Sequence, residues 1–233
     1  MNAGAEAETN SVLYIAAKAP RPGEVKTRLA AAIGDAAATG LYGAFLRDLA
    51  VRFPHAAWFV TPAAAWRRET RSYIAPAARV LGQPRGSWTE RQRALFREAA
   101  MRGEERVVLI ASDSPQIREE VVAEAFARLE RDDLVLGPVL DGGYYLIGMR
   151  GWHDVLAGLR MSTGVVLSKL VQKARRQGLT VSLLEPTYDV DELADLELLE
   201  LDAAVREDLQ ATRAALAALR ANRPEGSETR VLT

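Results

Sequence analysis

The chain of 233 residues predicts an α/β protein built on a doubly wound, mostly parallel sheet flanked by helices. Three observations predict it. Short apolar runs alternate with helical segments along most of the length. The run Val107-Val108-Leu109-Ile110-Ala111 is wholly apolar, with three β-branched residues, which suits a strand buried on both faces. Two strand-like runs end abruptly, one on a cationic loop and one on a lone carboxylate. Parallel sheets bind their ligands in the crevice beyond such strand ends.

The elements follow in order. Residues 11–17 form a first buried strand. It runs into a loop where Lys18, Arg21, Lys26 and Arg28 set four cations against one acid, Glu24. Pro20 and Pro22 stiffen this loop, and Gly23 allows close backbone approach. Such a loop suits a polyphosphate, through charge-assisted hydrogen bonds; a solvated basic loop is the plain alternative. Neither a Walker A loop nor a dinucleotide fingerprint is present. Asp35 reads as the N-cap of a helix through Phe53, with Leu41, Phe45 and Leu49 on one face. A second strand follows at 57–60, a helix at 64–74 and a short third strand at 79–81. A loop then leads to a helix at 89–101, with Thr89 as its cap.

The strand 107–111 reaches Asp113, and Pro115 turns the chain away. Asp113 reads either as the N-cap of a helix starting near Ile117 or as a ligand at a strand end. A helix at 119–129 and a strand at 134–138 follow. Asp141-Gly142-Gly143 then turns into an antiparallel return strand at 144–149. That turn serves hairpin geometry, or offers its N–H groups to an anion. Ser162-Thr163-Gly164 opens a helix at 165–176, as ordinary caps or as an anion site. After a strand at 180–184, Asp189 and Asp191 flank Val190. In extended chain both carboxylates point to one side and could share a cation; a capping role for Asp191 is the alternative. Residues 195–220 predict one long helix with a leucine stripe, packing on the domain or forming a dimer face.

Composition narrows the chemistry. Hydrophobic residues make up 48% and charged residues 26%, ordinary for a globular chain, and the net charge of −1 gives no field for nucleic acid or an anionic membrane. The absence of cysteine excludes disulfides and thiolate sites, and His55 and His153 lack metal-site spacing. Any metal would therefore be a hard cation on carboxylates, Mg²⁺ or Mn²⁺. No apolar run approaches the roughly 20 residues of a membrane span. The first ten residues are polar and carry no signal-peptide pattern, so a cytoplasmic location is expected. The organisation expected is a flexible N-terminus at 1–10, one domain at 11–200, a C-terminal helix packed on it at 201–220 and a mobile tail at 221–233.

Four segments occur in a telling order: Lys18-Ala-Pro-Arg-Pro-Gly-Glu-Val-Lys-Thr-Arg-Leu29, Ser112-Asp-Ser-Pro115, Gly137-Pro138 with Asp141-Gly-Gly-Tyr-Tyr-Leu-Ile-Gly148, and Asp189-Val-Asp191. Together they resemble the glycosyltransferase-like branch of the nucleotide-diphospho-sugar transferase superfamily, known also from selenodomain-associated transferases. The resemblance covers roughly residues 11 to 200. More distantly, the chain is similar to phospholactate guanylyltransferases, which share the basic loop and the aspartates. The resemblance implies a GT-A-type fold, a nucleotide or nucleotide-sugar donor, a small-molecule acceptor and a divalent cation, Mg²⁺ or Mn²⁺. It places the metal on Asp113, Asp189 and Asp191. Lys18, Arg21, Gly23, Lys26 and Arg28 would bind phosphates, with Lys26 and Arg28 stabilising the leaving group. Gly86, Glu90 and Arg91 match a further donor-side motif, in which Ser87 and Thr89 replace the branch's aspartate and second glycine. Gly142, Gly143, Ser162, Thr163 and Gly164 would shape the acceptor side, with Asp141 as its base. Glycosyl transfer is the first reading, nucleotidyl transfer to a phosphorylated acceptor the second. A nucleotide-binding scaffold, motivated by Ser87 and Thr89, is the third. No nucleic-acid partner and no membrane span are expected, and a homodimer is possible.

Overall fold

The computed structural model describes residues 10–69, 72–161 and 163–221. Its strands are β1 (Ser11–Lys18), β2 (Ala57–Thr61), β3 (Val80–Gly82), β4 (Arg106–Ala111), β5 (Leu134–Pro138), β6 (Tyr144–Arg150) and β7 (Val181–Leu183). They form one sheet in the order β3-β2-β1-β4-β6-β5-β7. Only β6 runs antiparallel to its neighbours, because the turn at 141–143 folds it back between β4 and β5. The chain steps outward from β1 to β2 and β3, then crosses back to β4. The order therefore reverses between β1 and β4, and a crevice opens beyond their carboxyl ends. Ala16 is in register with Ala111, and the Ser112 N–H donates to the Ala16 carbonyl at 3.0 Å. Lys18 and Asp113 thus leave the sheet side by side.

Burial on both faces follows from the strand sequences. Along β4, Val107 and Leu109 enter one core layer while Val108 and Ile110 enter the other. Helices α1 (Thr27–Ile33), α2 (Asp35–Arg52), α3 (Ala63–Glu69), α5 (Glu119–Arg128), α7 (Leu193–Val205) and α8 (Gln210–Ala221) cover the second of these layers. Helices α4 (Trp88–Met101) and α6 (Val166–Arg176) cover the first. No helix among the described residues is long and apolar enough to cross a membrane.

Several local expectations change. The long helix expected at 195–220 is two helices: Arg206 is extended, residues Glu207–Leu209 form a 3-10 turn, and α8 starts afresh. Helical periodicity continues through the break, but the buried Arg206 side chain, paired with Asp208 and bonded to the Gln116 carbonyl, overrides it, and Asp48 of α2 caps α8 by accepting from the Ala211 and Thr212 N–H groups at 2.9 and 2.8 Å. Helix α3 is described over Ala63–Glu69, and residues 72–74 form a turn in place of the helix expected to run to residue 74. Ser87, not Thr89, caps α4 in a reciprocal box with Glu90, while the Thr89 hydroxyl donates to the Leu159 carbonyl. Gly34, rather than Asp35, precedes α2 as its cap. The segments 1–9 and 222–233 lie outside the described residues.

At the sheet's opposite end, before β4, Glu104 is buried and accepts from Tyr14 at 2.7 Å, Arg79 at 2.7 Å and Arg102 at 2.9 Å. Burial alone would raise its pKa, but these three donors outweigh burial and hold it below the usual value. A carboxylate with a depressed folded pKa stabilises above its unfolded value, about 4.3, and that contribution is lost as pH falls through the folded value. Calorimetry across the acid range should show Glu104→Gln with a lower Tm at neutral pH and a shallower loss below about pH 4.5. An unchanged acid slope would contradict this.

Candidate active site

The loops beyond β1 and β4 enclose a cleft of about 670 Å³. Its wall brings together Lys18, Lys26, Arg28 and Arg91, the carboxylates Asp113, Asp141, Asp189 and Asp191, and Gly143, Thr163 and Gly164. Four other candidates stand apart from that wall. Arg21 is turned outward into a two-point pair with Glu69, at 2.7 and 2.9 Å, and Gly23 lies in the same outer turn. Gly86 offers its carbonyl to Arg91 at 2.9 Å, and Gly142 backs the wall without facing the cleft. Ser162 lies outside the described residues.

The centre of the cleft is a buried cation among carboxylates. Lys26 Nζ lies 2.7 Å from Asp113 Oδ1 and 3.2 Å from Asp191 Oδ1, and the Lys26 side chain is 2% exposed. Burial pulls its pKa down, but the charges of Asp113 and Asp191 outweigh burial and hold it above the ordinary value. The position comes from the backbone. Lys26 sits at the N-cap of α1 with φ 47° and ψ 42°, a left-handed conformation that costs a non-glycine residue about 1–2 kcal/mol. Strain of this kind persists where surrounding contacts over-determine it, and here two carboxylates do so. Arg28, two residues further, approaches Asp191 Oδ2 at 3.8 Å and stays exposed.

The carboxylates are placed by two loops. Asp113 does not cap α5, which starts at Glu119 with Arg118 before it. Asp191 does not cap α7; Asp195 accepts from the Asp191 and Glu192 N–H groups, at 2.8 and 2.7 Å. Both aspartates are therefore left to the cleft. Val190 between the two aspartates is fully buried, so its neighbours point the other way. Asp189 accepts from Ser114 Oγ at 2.5 Å. Burial pushes its pKa up to about 6 against that hydrogen bond, and the charges of Asp113 and Asp191 add to the rise. Among the described residues, no three such groups form a ready-made metal cage. The donor set nonetheless fits a hard cation. It consists of carboxylate oxygens, an ammonium already stands among them as a cation, and phosphate and water would complete a shell.

Sequence reasoning missed Tyr42. Its hydroxyl accepts from the Lys18 N–H at 2.9 Å and meets Ser112 Oγ at 2.8 Å, tying the ends of β1 and β4 together. Burial pushes its pKa above the usual tyrosine value. Helical periodicity marks Tyr42 only as a core neighbour of Leu41 and Phe45. Trp88, Gln83, Tyr144 and Met161 also line the cleft without a motif to announce them.

A family described as an uncharacterised protein conserved in bacteria (DUF2064) matches residues 49–163. No match is found among curated proteins. A crystal structure of a proposed nucleotide-diphospho-sugar transferase from Desulfovibrio desulfuricans is 31% identical, with a TM-score of 0.84, over 91% of this chain and 96% of that one. This chain belongs to the nucleotide-diphospho-sugar transferase superfamily. The fold likeness extends to 4-diphosphocytidyl-2C-methyl-D-erythritol synthase, with a TM-score of 0.54 at 13% identity over 84% of this chain and 98% of that one. It extends also to a cytidylyltransferase from Leptospira borgpetersenii, with a TM-score of 0.51 at 12% identity over 92% and 95%. At such identities the likeness shows the fold alone.

On the far side of this transferase's cleft, the 141–143 turn is clasped to the start of α6. Leu167 N–H donates to the Gly142 carbonyl at 3.0 Å, and Asp141 Oδ1 accepts from the Gly143 N–H at 2.8 Å. Gly142 has φ 87°, and a Cβ there would meet the Gly164 carbonyl oxygen at 2.1 Å. Gly142→Ala should therefore cost on the order of 2–3 kcal/mol in urea unfolding, from backbone strain and collision together. A loss within about 0.5 kcal/mol, the range of surface substitutions, would contradict the packing described.

Proposed function

We propose that this transferase is divalent-metal-dependent and uses a nucleotide donor, with glycosyl transfer from a nucleotide-diphospho-sugar to a small acceptor as the first reading. The observation that carries it is the juxtaposition at the crevice: Lys26 among Asp113 and Asp191, with Asp189 beside them and Lys18 and Arg28 on the same wall. Asp113, Asp189 and Asp191 would hold Mg²⁺ or Mn²⁺, which supplies charge neutralisation for a departing phosphate. Lys18, Lys26 and Arg28 bind the donor's phosphoryl oxygens and stabilise the charge that develops as the sugar–phosphate bond breaks. The nucleoside diphosphate leaves with that bond's electron pair. The acceptor hydroxyl bonds to the anomeric carbon, and Asp141 takes its proton; its position on the cleft wall, with Oδ2 carrying no hydrogen bond among the described residues, supports that reading. Gly143, Thr163 and Gly164 shape the acceptor side.

A second reading, nucleotidyl transfer, is favoured by the number of cations. Lys18, Lys26, Arg28 and Arg91 share one cleft, which suits a triphosphate. There an acceptor phosphate would attack the α-phosphorus and pyrophosphate would leave. Ser87 and Thr89, the two departures from the donor-side motif, are engaged in capping α4 and in a hydrogen bond to the Leu159 carbonyl, so their presence is compatible with an intact cleft.

A thermal-shift panel with Mg²⁺ or Mn²⁺ against nucleoside triphosphates and nucleotide sugars tests the proposal. A donor at 100 times its Kd should stabilise the fold by about 2.7 kcal/mol. Asp113→Asn should abolish the metal-dependent part, and Arg28→Ala should slow turnover on the order of 100-fold. Preference for a nucleotide sugar supports the first reading, and preference for a triphosphate with pyrophosphate release supports the second. No metal-dependent shift with any donor sinks both and favours a scaffold.

A further inference from the structure

Behind the cleft, two arginines grip the loop that follows Asp113. Arg52 closes α2 with a side chain 2% exposed, and its Nη1 donates to the Pro115 and Ile117 carbonyls at 2.5 and 2.8 Å. Arg206, the extended residue between α7 and the 3-10 turn, donates to the Gln116 carbonyl. Three successive loop carbonyls are thus held from one side. A single carboxylate joins the two grips. Asp208 Oδ2 lies 2.6 Å from both Arg52 Nε and Arg206 Nη2, and its Oδ1 lies 2.9 Å from Arg206 Nε. The gripped loop is in turn stitched to the segment that carries the other aspartates. Val190 N–H donates to the Asp113 carbonyl at 3.2 Å, Ser114 Oγ to Asp189, and Gln116 Nε2 to the Tyr188 carbonyl at 2.5 Å.

We propose that Arg52, Arg206 and Asp208 form a positioning clamp that holds Asp113 and Asp189 in register for a cation, so that the C-terminal segment organises a cleft it does not line. The metal role of those aspartates rests on the function proposed above. The physical reason for the clamp is charge. Two guanidinium groups, both with side chains no more than 8% exposed, repel each other unless a carboxylate lies between them. Burial and the neighbouring Arg206 charge pull the Arg52 pKa down, and Asp208 opposes them. Without Asp208, one arginine must move toward water and release the carbonyls it holds. The 113–117 loop then loses its backing, and the Val190 and Ser114 hydrogen bonds loosen with it. Residues that orient metal ligands commonly change metal affinity by about 10–100-fold when altered.

The test compares wild type, Asp208→Asn, Asp208→Glu and Tyr14→Phe. The last removes a hydrogen bond to Glu104 at the opposite end of the sheet and serves as a control for general destabilisation. Amide exchange by mass spectrometry reads the segments 113–117 and 188–191, and electron paramagnetic resonance reads the Kd for Mn²⁺ alone. Asp208→Asn should quicken exchange in both segments and raise the Mn²⁺ Kd about tenfold or more. Asp208→Glu should restore much of both, and Tyr14→Phe should leave both near wild type. Unchanged exchange in Asp208→Asn, equal quickening in Tyr14→Phe, or quickened exchange with unaltered Mn²⁺ affinity each overturns the clamp. Wild-type protein that binds no Mn²⁺ overturns the metal reading instead, while exchange still decides whether Asp208 orders the loop.

Discussion

The cleft depends on how a buried ammonium is compensated. Lys26 brings its charge to a position with 2% side-chain exposure, where an unpaired cation would lose most of its hydration. Asp113 and Asp191 supply the opposite charge at 2.7 and 3.2 Å. Those two carboxylates arrive from loops 78 residues apart, the difference between 191 and 113, so the pairing fixes one loop against the other. It also accounts for the left-handed backbone at Lys26, which no local turn chemistry demands. Charge compensation, sheet topology and backbone strain meet at this one residue.

The rest of the structure supports that meeting point from both sides. Tyr42 ties the ends of β1 and β4, keeping the basic loop and the aspartate loop at a constant spacing. The two buried arginines and Asp208 back the aspartate loop from behind. Across the cleft, close contact between Gly142 and Gly164 makes a stiff wall whose shape is set by backbone rather than side chains. The site thus sets a wall of close backbone contact opposite a wall of long cationic side chains. It suits a reaction in which a charged donor is held and a small acceptor is selected by fit.

Much of this was legible in the sequence, for reasons that differ between elements. Strands buried on both faces announce themselves by unbroken apolar runs, as at 107–111, and a parallel sheet brings their carboxyl ends to one edge. Residues at those ends, Lys18, Asp113 and the Asp189–Asp191 pair, could therefore be expected in one place. The legible part stops where a side chain's partner is distant in sequence. Arg21 has the charge of a phosphate ligand, but Glu69 draws it outward, and nothing near residue 21 announces that pairing. The break at Arg206 is hidden in the same way, because helical periodicity runs through it while Asp48, Arg52 and Gln116 decide the backbone from other segments. Thr89 and Ser87 are equivalent caps by composition, and only the reach of Glu90 separates them.

Lys26 Nζ stands against Asp113 and Asp191, where the proposed cation would sit, and in the function proposed above the donor's phosphates draw it away. A crystal structure with Mn²⁺ and a non-hydrolysable nucleotide sugar or triphosphate analogue tests it directly. The expected result is an anomalous Mn²⁺ peak bridged by at least two of Asp113, Asp189 and Asp191, with Lys26 Nζ turned to a phosphate oxygen. A Mn²⁺ peak away from all three aspartates, or a bound nucleotide whose phosphates avoid Lys26, would contradict it.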